Sequence, residues 1–359
     1  MSSAAPSSAV LPPVPRPSLF GLTRPQLGQV LQERGFPRYR ADQIFGWIYG
    51  KHHRRPERMT NLSAPLRQAL EETCDLGLPR IERRLSTPDQ LTHKFVLELA
   101  DGALVECVSM RTEKRLTFCL SSQVGCALKC SFCATGLMGL KRNLRTHEIV
   151  AQVLLMGDFH QWKDARFNLV FMGMGEPLAN LAPVLDSIRI LHDTPGLGLG
   201  ARRVTVSTSG IVPGIRELAA EGLPVGLAVS LHATTDALRD QLVPINRRWP
   251  LRELLAAARD YGRTTGRRVT LEYTLMAGVN DGPEDARRLA EIARSLPSKI
   301  NLIPYNPVPG FEWKRPTLES MESFVRRLYP VAPSVTLRNT LGGEIWAACG
   351  QLGGLSPAA

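Results

Sequence analysis

The sequence lacks the features that mark membrane and secreted proteins. No apolar run approaches the roughly 18 consecutive residues that a membrane-spanning helix needs. Residues 1–20 contain no basic segment followed by an apolar run, which argues against a secretory signal. Their Pro, Ser and Ala content predicts a disordered tail, and the absence of acids before Glu33 leaves a transit peptide open. We expect a soluble, cytoplasmic chain.

Acidic residues are in deficit, since 33 Asp and Glu face 44 Lys and Arg and the formal net charge is +11. This excess favours a polyanionic partner such as nucleic acid, although a basic surface can also serve solubility alone. Paired basic residues recur along the chain, which suits a surface that follows phosphates. The pairs are Arg54-Arg55, Arg83-Arg84, Lys141-Arg142, Arg202-Arg203, Arg247-Arg248 and Arg267-Arg268.

Cysteine is too sparse for a secreted disulfide scaffold, with 7 cysteines among 359 residues. Their distribution is uneven, because four of them fall within residues 119–133. Close cysteines in a cytosolic chain more often bind metal. Cys74 and Cys107 belong to no pattern, and we interpret both as structural.

Residues 21–100 are predicted to form a small, basic helical domain. Thr23 is a helix cap followed by apolar residues at helical spacing. The stretch 34–58 carries seven Arg and Lys against two acids, a net charge of +5, with aromatic residues between them. Such a mixture suits RNA binding, but the rings can equally form the domain's core. We interpret most rings as core and the basic face as an RNA contact.

Residues 101–340 alternate short apolar runs with amphipathic helices, and residues 341–359 form a C-terminal segment. Six strands that alternate with helices indicate parallel βαβ units in an open or closed α/β barrel, with its active site at the strands' carboxyl ends. The predicted strands are 116–122, 167–173, 203–209, 225–232, 268–276 and 300–306. The predicted helices lie near 146–159, 178–193, 213–221, 251–263 and 284–295.

The main chemical signal is the CxxxCxxC motif of Cys126, Cys130 and Cys133, directly after the first barrel strand. Three thiolates on one tight loop can hold three irons of a [4Fe–4S] cube and leave the fourth iron open. A structural zinc site normally takes four protein ligands, the fourth being Cys119 or a distant His in this chain. Both metals stay open on the residues alone.

Polar residues also follow the later strands. The segment MGMGEP places Gly175 and Glu176 after the second barrel strand, where a glycine lets the backbone approach a ligand and a carboxylate can accept from an ammonium group. Each such residue alone is compatible with simple capping. Together they predict a polar site at one end of the barrel. The others are Ser207, Ser230, His232 and Asn306.

These motifs resemble those of radical S-adenosylmethionine (SAM) enzymes, and more specifically the RlmN/Cfr family of RNA adenine methyltransferases. The resemblance covers residues from about 100 to 352 and rests on strings that include SSQVGCALKCSFCATG, MGMGEPLAN, SLHATTD and AACGQL. It implies a radical-SAM (βα)6 partial barrel with a small helical N-terminal accessory domain. It also implies a [4Fe–4S] cluster, SAM as cosubstrate, and an external one-electron reductant of the flavodoxin or ferredoxin type.

The resemblance also implies roles for individual residues. Cys126, Cys130 and Cys133 match the cluster ligands. Cys349 matches the cysteine that becomes methylated, Cys119 matches its disulfide partner, and Glu106 matches the proton acceptor. The positions that match SAM contacts are Gly175, Glu176, Ser207, Ser230, Leu231, His232 and Asn306.

The reaction implied by the resemblance explains why Cys119 and Cys349 are present besides the cluster motif. An adenine C–H carbon is too weak a nucleophile to take a methyl group from SAM directly, whereas a cysteine thiolate can accept one. The implied reaction methylates carbon 2 of an adenosine in 23S rRNA and of the tRNA adenosine 3′ to the anticodon, with two SAM per turnover. Free rRNA rather than the finished ribosome is the expected substrate, and the protein is expected to be a monomer. A Cfr-type carbon-8 methyltransferase and a non-catalytic RNA-binding protein with an Fe–S or zinc site remain alternatives.

Overall fold

The computed structural model of the chain describes residues 16–113, 115–162, 167–330, 332, 334–338 and 340–353. Residues 1–15 of the predicted tail lie outside the described residues. The prediction of disorder is wrong for the end of that tail, since Leu19 and Phe20 are buried and the Leu19 N–H donates to the Asp75 carbonyl at 3.0 Å. Burial of these two apolar side chains stabilises the ordered conformation.

The N-terminal helices are α1 (Arg24–Glu33), α2 (Arg40–Phe45) and α3 (Ala64–Thr73), and a π-helical turn, Gly46–Gly50, continues α2. Thr23 caps α1 as predicted, in a capping box in which its backbone N–H donates to the Gln26 side chain at 2.8 Å.

The aromatic and aliphatic residues of this region divide between core and surface. Phe45 and Tyr49 are buried, and Phe36 and Trp47 are partly buried and pack against the core, which confirms the interpretation of most rings as core. Tyr39 is exposed, and Trp47 is half-buried with the Lys51 ammonium 3.7 Å from its ring centroid.

The prediction of a helical domain over all of 21–100 is wrong for its last part, which forms strands. β1 (Arg80–Ser86) and β2 (Thr92–Glu98) make an antiparallel hairpin, and β2 pairs with β3 (Leu104–Thr112). Thr87 and Asp89 hold the hairpin turn by accepting backbone N–H groups. The β-branched and aromatic residues of THKFVLE favour a strand once β3 supplies its partner.

One large sheet organises the chain, in the order β1-β2-β3-β4-β7-β8-β9-β10-β11-β12, and it is parallel from β4 onward. All six predicted barrel strands are confirmed, and β12 joins them as a further parallel strand that was not predicted. β5 and β6 form a separate antiparallel ribbon. The remaining strands are β4 (Arg115–Cys119), β5 (Gln123–Gly125), β6 (Leu140–Asn143), β7 (Phe167–Phe171), β8 (Val204–Thr208), β9 (Gly226–Ser230), β10 (Val269–Leu275), β11 (Ser298–Pro304) and β12 (Val335–Leu337).

Helices connect the parallel strands, and the five predicted ones are confirmed as α5, α6, α7, α9 and α10. The helices are α4 (Ala134–Leu137), α5 (Thr146–Phe159), α6 (Leu181–His192), α7 (Val212–Ala220), α8 (Asp236–Leu242), α9 (Leu251–Thr265), α10 (Pro283–Arg294) and α11 (Leu318–Leu328). Short 3₁₀ turns cover Leu19–Gly21, Pro56–Arg58, Pro177–Ala179, Ala201–Arg203, Pro244–Arg247 and Gly343–Ile345. Within the described ranges, no helix is both long and apolar enough to cross a membrane.

The core lies between the sheet and these helices. Strand residues such as Val206, Leu227, Val229 and Leu271 are completely buried, as expected for parallel strands covered by helices. Because the strands run parallel, the segments that follow them open at one edge of the sheet. The fold is therefore the predicted α/β partial barrel, with the candidate residues at that edge.

Candidate active site

The three motif cysteines share one cavity. Cys126, Cys130 and Cys133 lie between β5 and α4, on a short loop in which Lys129 adopts a left-handed conformation (φ 52°). Their side chains line a cavity at the carboxyl ends of the barrel strands. The described part of the chain has no group of three His, Cys, Asp or Glu side chains placed to hold a single metal ion.

The protein around Cys126 and Cys130 favours the neutral form of these two thiols. Burial raises the pKa of Cys126 to about 11, and burial together with Cys133 and Cys126 raises the pKa of Cys130. Metal ligation needs the thiolate. Iron bound at this loop would supply positive charge that favours the thiolates.

Gly175 and Glu176 lie in the turn after β7 and line the same cavity. Gly175 has a φ of 96°, and a side chain there would come within 2.5 Å of Gln123. The glycine therefore allows this turn to pack against the segment before the cysteine loop, a contact with protein rather than with a ligand. The Glu176 carboxylate accepts from the N–H groups of Leu178 at 3.2 Å and Ser209 at 2.7 Å.

Ser207, Ser230 and His232 follow the next two strands and complete the polar side of the cavity. The Thr274 N–H donates to Nδ1 of His232 at 3.0 Å, so the neutral ring carries its proton on Nε2. Burial, with a smaller contribution from Arg239, lowers the pKa of His232 to about 3 and keeps the ring neutral. The ring packs edge-on to Phe132 of the cysteine loop, with centroids 4.7 Å apart.

Two of the predicted SAM contacts lie outside the cavity lining. Leu231 is completely buried, and its backbone N–H donates to the Glu272 carbonyl at 2.9 Å. The Asn306 side chain donates to the Cys349 carbonyl at 3.1 Å and accepts from the Thr340 hydroxyl. Asn306 therefore orients the C-terminal segment in this structure.

Cys349 is exposed to the cavity that the three motif cysteines line. The Arg338 guanidinium lies close enough to Cys349, Cys119 and Glu272 for their charges to interact. The protein around the thiol raises the pKa of Cys349, whereas Arg338 opposes this rise. Residues 340–353 therefore bring to the site a thiol that lies close to the cation of Arg338.

Cys119 ends β4 and is buried behind the cavity lining. Burial, and secondarily the proximity of Cys349, raises its pKa to about 12. Both cysteines are free thiols, so the disulfide implied by the resemblance is not formed in this structure.

Glu106 lies on β3, outside the cavity lining, and is buried. Its carboxylate contacts the Lys94 ammonium at 3.4 Å and accepts from the Gly353 N–H at 2.9 Å. Lys94 was not identified as a site residue from the sequence. The only indication in the sequence is that a cation interrupts the apolar residues of β2. The structure thus connects the predicted proton acceptor to the C-terminal segment.

Arg239 is a second residue that sequence reasoning missed. Its guanidinium is completely buried and donates to the carbonyls of Ser209, Ser230 and Leu231 at 2.6, 3.0 and 3.0 Å. Asn246 accepts from the same group at 2.9 Å. Arg239 therefore joins the ends of β8 and β9. One Arg in an amphipathic helix carries no sequence signal of such a role.

The N-terminal helices carry a basic groove, a cavity of about 670 Å³ next to α3. Arg54, in this groove, donates to the Asp158 carboxylate of α5 and so attaches the helical region to the barrel. Arg55 and Arg58 are exposed. The groove is lined by His52, His53, Arg54, Arg55, Pro56, Glu57, Arg58, Glu71 and Leu76.

Comparison with known proteins agrees with this architecture. Residues 120–290 match the Radical SAM superfamily, and residues 18–76 match the ribosomal RNA large subunit methyltransferase N-terminal domain. A crystal structure of a radical SAM methyltransferase from Sphaerobacter thermophilus superposes with a TM-score of 0.89 at 46% identity, covering 93% of this chain and 98% of that one.

Curated relatives are similar over nearly their whole length. The probable dual-specificity RNA methyltransferase RlmN of Symbiobacterium thermophilum is 47% identical, over 94% of this chain and 91% of the relative. The protein of the same description from Frankia casuarinae is 48% identical, over 93% of this chain and 82% of the relative. The chain therefore belongs to the RlmN family of radical SAM RNA methyltransferases.

Proposed function

We propose that this enzyme methylates carbon 2 of adenosine, in 23S rRNA at the peptidyl-transferase region and in tRNA at the position 3′ to the anticodon. The observation that carries the proposal is that Cys349 is exposed to the cavity lined by Cys126, Cys130 and Cys133. A thiol there is within reach of both a methyl donor and a radical source. The described relatives, named as dual-specificity RNA methyltransferases, support the two substrates.

Membership of the superfamily implies SAM and a [4Fe–4S] cluster, and the cysteine loop fits the cluster. Its three thiols line one cavity, and three protein ligands suit a [4Fe–4S] cube with one open iron better than a structural zinc site, which normally takes four. When bound, the cluster supplies the electron that cleaves SAM. The chain contributes three thiolates and leaves the fourth iron free for SAM.

The polar residues of the cavity are arranged to bind SAM. The Glu176 carboxylate keeps acceptor capacity beyond its two backbone bonds and can accept from the SAM ammonium group. The protonated Nε2 of His232 is a donor, because Nδ1 already accepts from Thr274. Ser207 and Ser230 offer hydroxyls from neighbouring strand ends. Gly175 and Leu231 contribute through the backbone in this proposal, and Asn306 by holding Cys349.

Cys349 is the methyl acceptor in this proposal. The Cys349 thiolate attacks the methyl group of one SAM, so that a carbon–sulfur bond forms and S-adenosylhomocysteine leaves, and Arg338 stabilises that thiolate. A hydrogen atom is then removed from the methyl group by the radical derived from a second SAM. The resulting carbon radical adds to the adenine ring, and the ring radical so formed gives up one electron to the bound cluster, so that the RNA is left bonded to Cys349.

Release requires a proton acceptor and a second thiol. Glu106 takes the proton from the ring carbon. For this, its carboxylate has to give up the hydrogen bond from the Gly353 N–H and contact the substrate instead. Cys119 then attacks the Cys349 sulfur and a Cys119–Cys349 disulfide forms, while the bond from sulfur to the transferred carbon breaks and that carbon takes up a proton to become the methyl group. Reduction of this disulfide by an external thiol restores the enzyme.

RNA is proposed to contact the basic groove of the N-terminal helices, where Arg55 and Arg58 are free of ion pairs with described residues.

We also propose that the enzyme is a cytoplasmic monomer and that it receives electrons from a flavodoxin or ferredoxin. The proposed boundaries are 1–20 for the tail, 21–100 for the accessory domain, 101–340 for the barrel and 341–359 for the C-terminal segment.

Nucleoside analysis tests the function. RNA from cells that lack the enzyme is incubated with the anaerobically purified protein, SAM and a reductant, then digested and compared with 2-methyladenosine and 8-methyladenosine standards. Formation of 2-methyladenosine supports the proposal. Formation of 8-methyladenosine instead indicates the Cfr-type reaction. A colourless protein with stoichiometric zinc and no dithionite-dependent release of 5′-deoxyadenosine would indicate a non-catalytic RNA-binding protein.

A further inference from the structure

Lys94 is a buried cation that contacts both the chain just before Cys349 and the carboxylate of Glu106. Its side chain is completely inaccessible to solvent, and burial lowers its pKa. The Lys94 ammonium donates to the Trp346 carbonyl at 3.2 Å and contacts the Glu106 carboxylate at 3.4 Å. A buried ammonium is costly unless it is paired and hydrogen-bonded, so these two contacts account for its presence in the core.

Glu106 extends the contact to the other side of Cys349. Lys94 pairs with Val108 across β2 and β3, and Val96 pairs with Glu106, so Lys94 and Glu106 share one face of the sheet. The second carboxylate oxygen of Glu106 accepts from the Gly353 N–H at 2.9 Å. The ion pair therefore holds the chain three residues before Cys349 and four residues after it.

A separate contact, at Gly342, also shows that the C-terminal segment packs against the face of β2 and β3 that carries Lys94 and Glu106. Gly342 adopts a φ of 70°, and a side chain there would come within 2.8 Å of the Thr92 methyl group. Thr92 lies two residues before Lys94 and thus on the same face of β2. The segment consequently rests on the β2–β3 face at Gly342 as well as at Trp346 and Gly353.

From this geometry we infer that Lys94 is a positioning residue which, with Glu106, clasps the segment 346–353 so that Cys349 faces the cluster cavity. The inference rests on the proposed role of Cys349. It adds to Glu106 a role distinct from proton transfer. When the Glu106 carboxylate accepts the proton from the substrate, its hydrogen bond to the Gly353 N–H is broken. Lys94 still donates to the Trp346 carbonyl, so the chain before Cys349 stays in place.

Hydrogen–deuterium exchange on the full-length, anaerobically purified protein measures the clasp without relying on activity. In Lys94→Met, we expect amide exchange in the peptide spanning 345–353 to rise by about tenfold, since the segment opens locally. Glu106→Gln is expected to change exchange at Gly353 less, because an amide oxygen can still accept its N–H. The control Arg80→Met removes an exposed ion pair to Glu98 on the same sheet and is expected to leave this peptide unchanged.

Coupling of the two SAM-dependent steps distinguishes positioning from simple stability. Lys94→Met is expected to release 5′-deoxyadenosine at the wild-type rate but to methylate RNA about tenfold more slowly, since a small displacement of Cys349 suffices for such a loss. A merely destabilised enzyme would lose both activities together. Lys94→Arg is expected to recover part of the coupling.

The outcomes for the clasp and for the proposed function are separable. Unchanged exchange over 345–353 in Lys94→Met would overturn the clasp whatever the RNA product is. Wild-type protein that never methylates RNA, with exchange in Lys94→Met still raised, would overturn the function and leave the clasp standing. If Lys94→Met does not fold, the double variant Lys94→Met/Glu106→Gln is measured in its place, because it leaves no unpaired buried charge. The same rise in amide exchange over 345–353 is expected in the double variant. Unchanged exchange there would overturn the clasp.

Discussion

The guanidinium of Arg338 lies beside the thiol of Cys349, which lines the cluster cavity, and its positive charge lowers the pKa of that thiol. The contact joins a permanent cation to the thiol that accepts the methyl group in the proposed reaction. Because Arg338 lowers the pKa of Cys349 while the surrounding protein raises it, the thiolate population at neutral pH depends on this one arginine.

Replacement of Arg338 is therefore expected to move the pH dependence of methyl transfer to Cys349. In Arg338→Leu the opposing positive charge is lost, so the pKa of Cys349 rises, its thiolate fraction at neutral pH falls, and the rate profile shifts to higher pH. Single-turnover transfer from labelled SAM between about pH 6 and pH 10 checks this, with the exposed Arg327→Leu as control. A lower rate with an unshifted profile would mean that Arg338 serves only packing.

The cluster ligands are tested by single substitutions of the three cysteines. Cys126→Ala, Cys130→Ala and Cys133→Ala are each expected to lose the iron–sulfur absorption and the SAM cleavage, because the cube keeps only two protein thiolates. Cys107→Ala is the matched control, since Cys107 is a buried thiol outside the cavity. Full turnover by any one of the three variants would refute that cysteine's assignment.

The two remaining cysteines are expected to fail at different steps. Cys349→Ala has no acceptor for the first methyl group, so no methyl transfer to RNA is expected. Cys119→Ala still accepts and transfers the group but cannot break the bond between Cys349 and the product. Accumulation of RNA-linked protein is therefore expected in Cys119→Ala alone, as a retarded band that nuclease treatment removes. Normal turnover by Cys119→Ala would exclude resolution through a disulfide.

The basic groove is tested by arginines with different surroundings. Arg55→Gln/Arg58→Gln is expected to weaken RNA affinity and to flatten its salt dependence by about two units of slope, because two phosphate contacts are lost. Arg54→Gln is expected chiefly to lower the thermal stability, since Arg54 binds Asp158 of α5. Binding titrations at several salt concentrations check this, with the exposed Arg263→Gln on α9 as control. Unchanged affinity and slope would move the RNA contact elsewhere.

The features predicted well from the sequence are those encoded locally. Alternating apolar runs and amphipathic helices identified β4, β7, β8, β9, β10 and β11, because each element carries its own periodicity. The hairpin of β1 and β2 was missed, since β1 is mostly exposed and charged and β2 depends on pairing with β3. Helix-like composition at 80–98 was overridden by those tertiary contacts.

The site shows the same division. The CxxxCxxC spacing is local and its three cysteines do share a cavity, whereas the contact of Lys94 with Trp346 spans 252 residues and left no signal. The orientation of Asn306 toward Cys349, and the attachment of Glu106 to Gly353, also depend on how the C-terminal segment folds back. Long-range contacts of this kind cannot be inferred from residue spacing.

The central claim is that the methyl carbon passes through Cys349 and loses one hydrogen atom on the way to adenine. The most direct measurement is the deuterium content of the methylated adenosine. The enzyme is first freed of its original methyl group by turnover with RNA and is then given SAM that is deuterated in the methyl group. Removal of one deuterium before addition to the ring leaves two, and the third hydrogen comes from another source. The account predicts 2-methyladenosine that carries two deuterium atoms, whereas a product with all three would contradict it and indicate direct displacement from SAM.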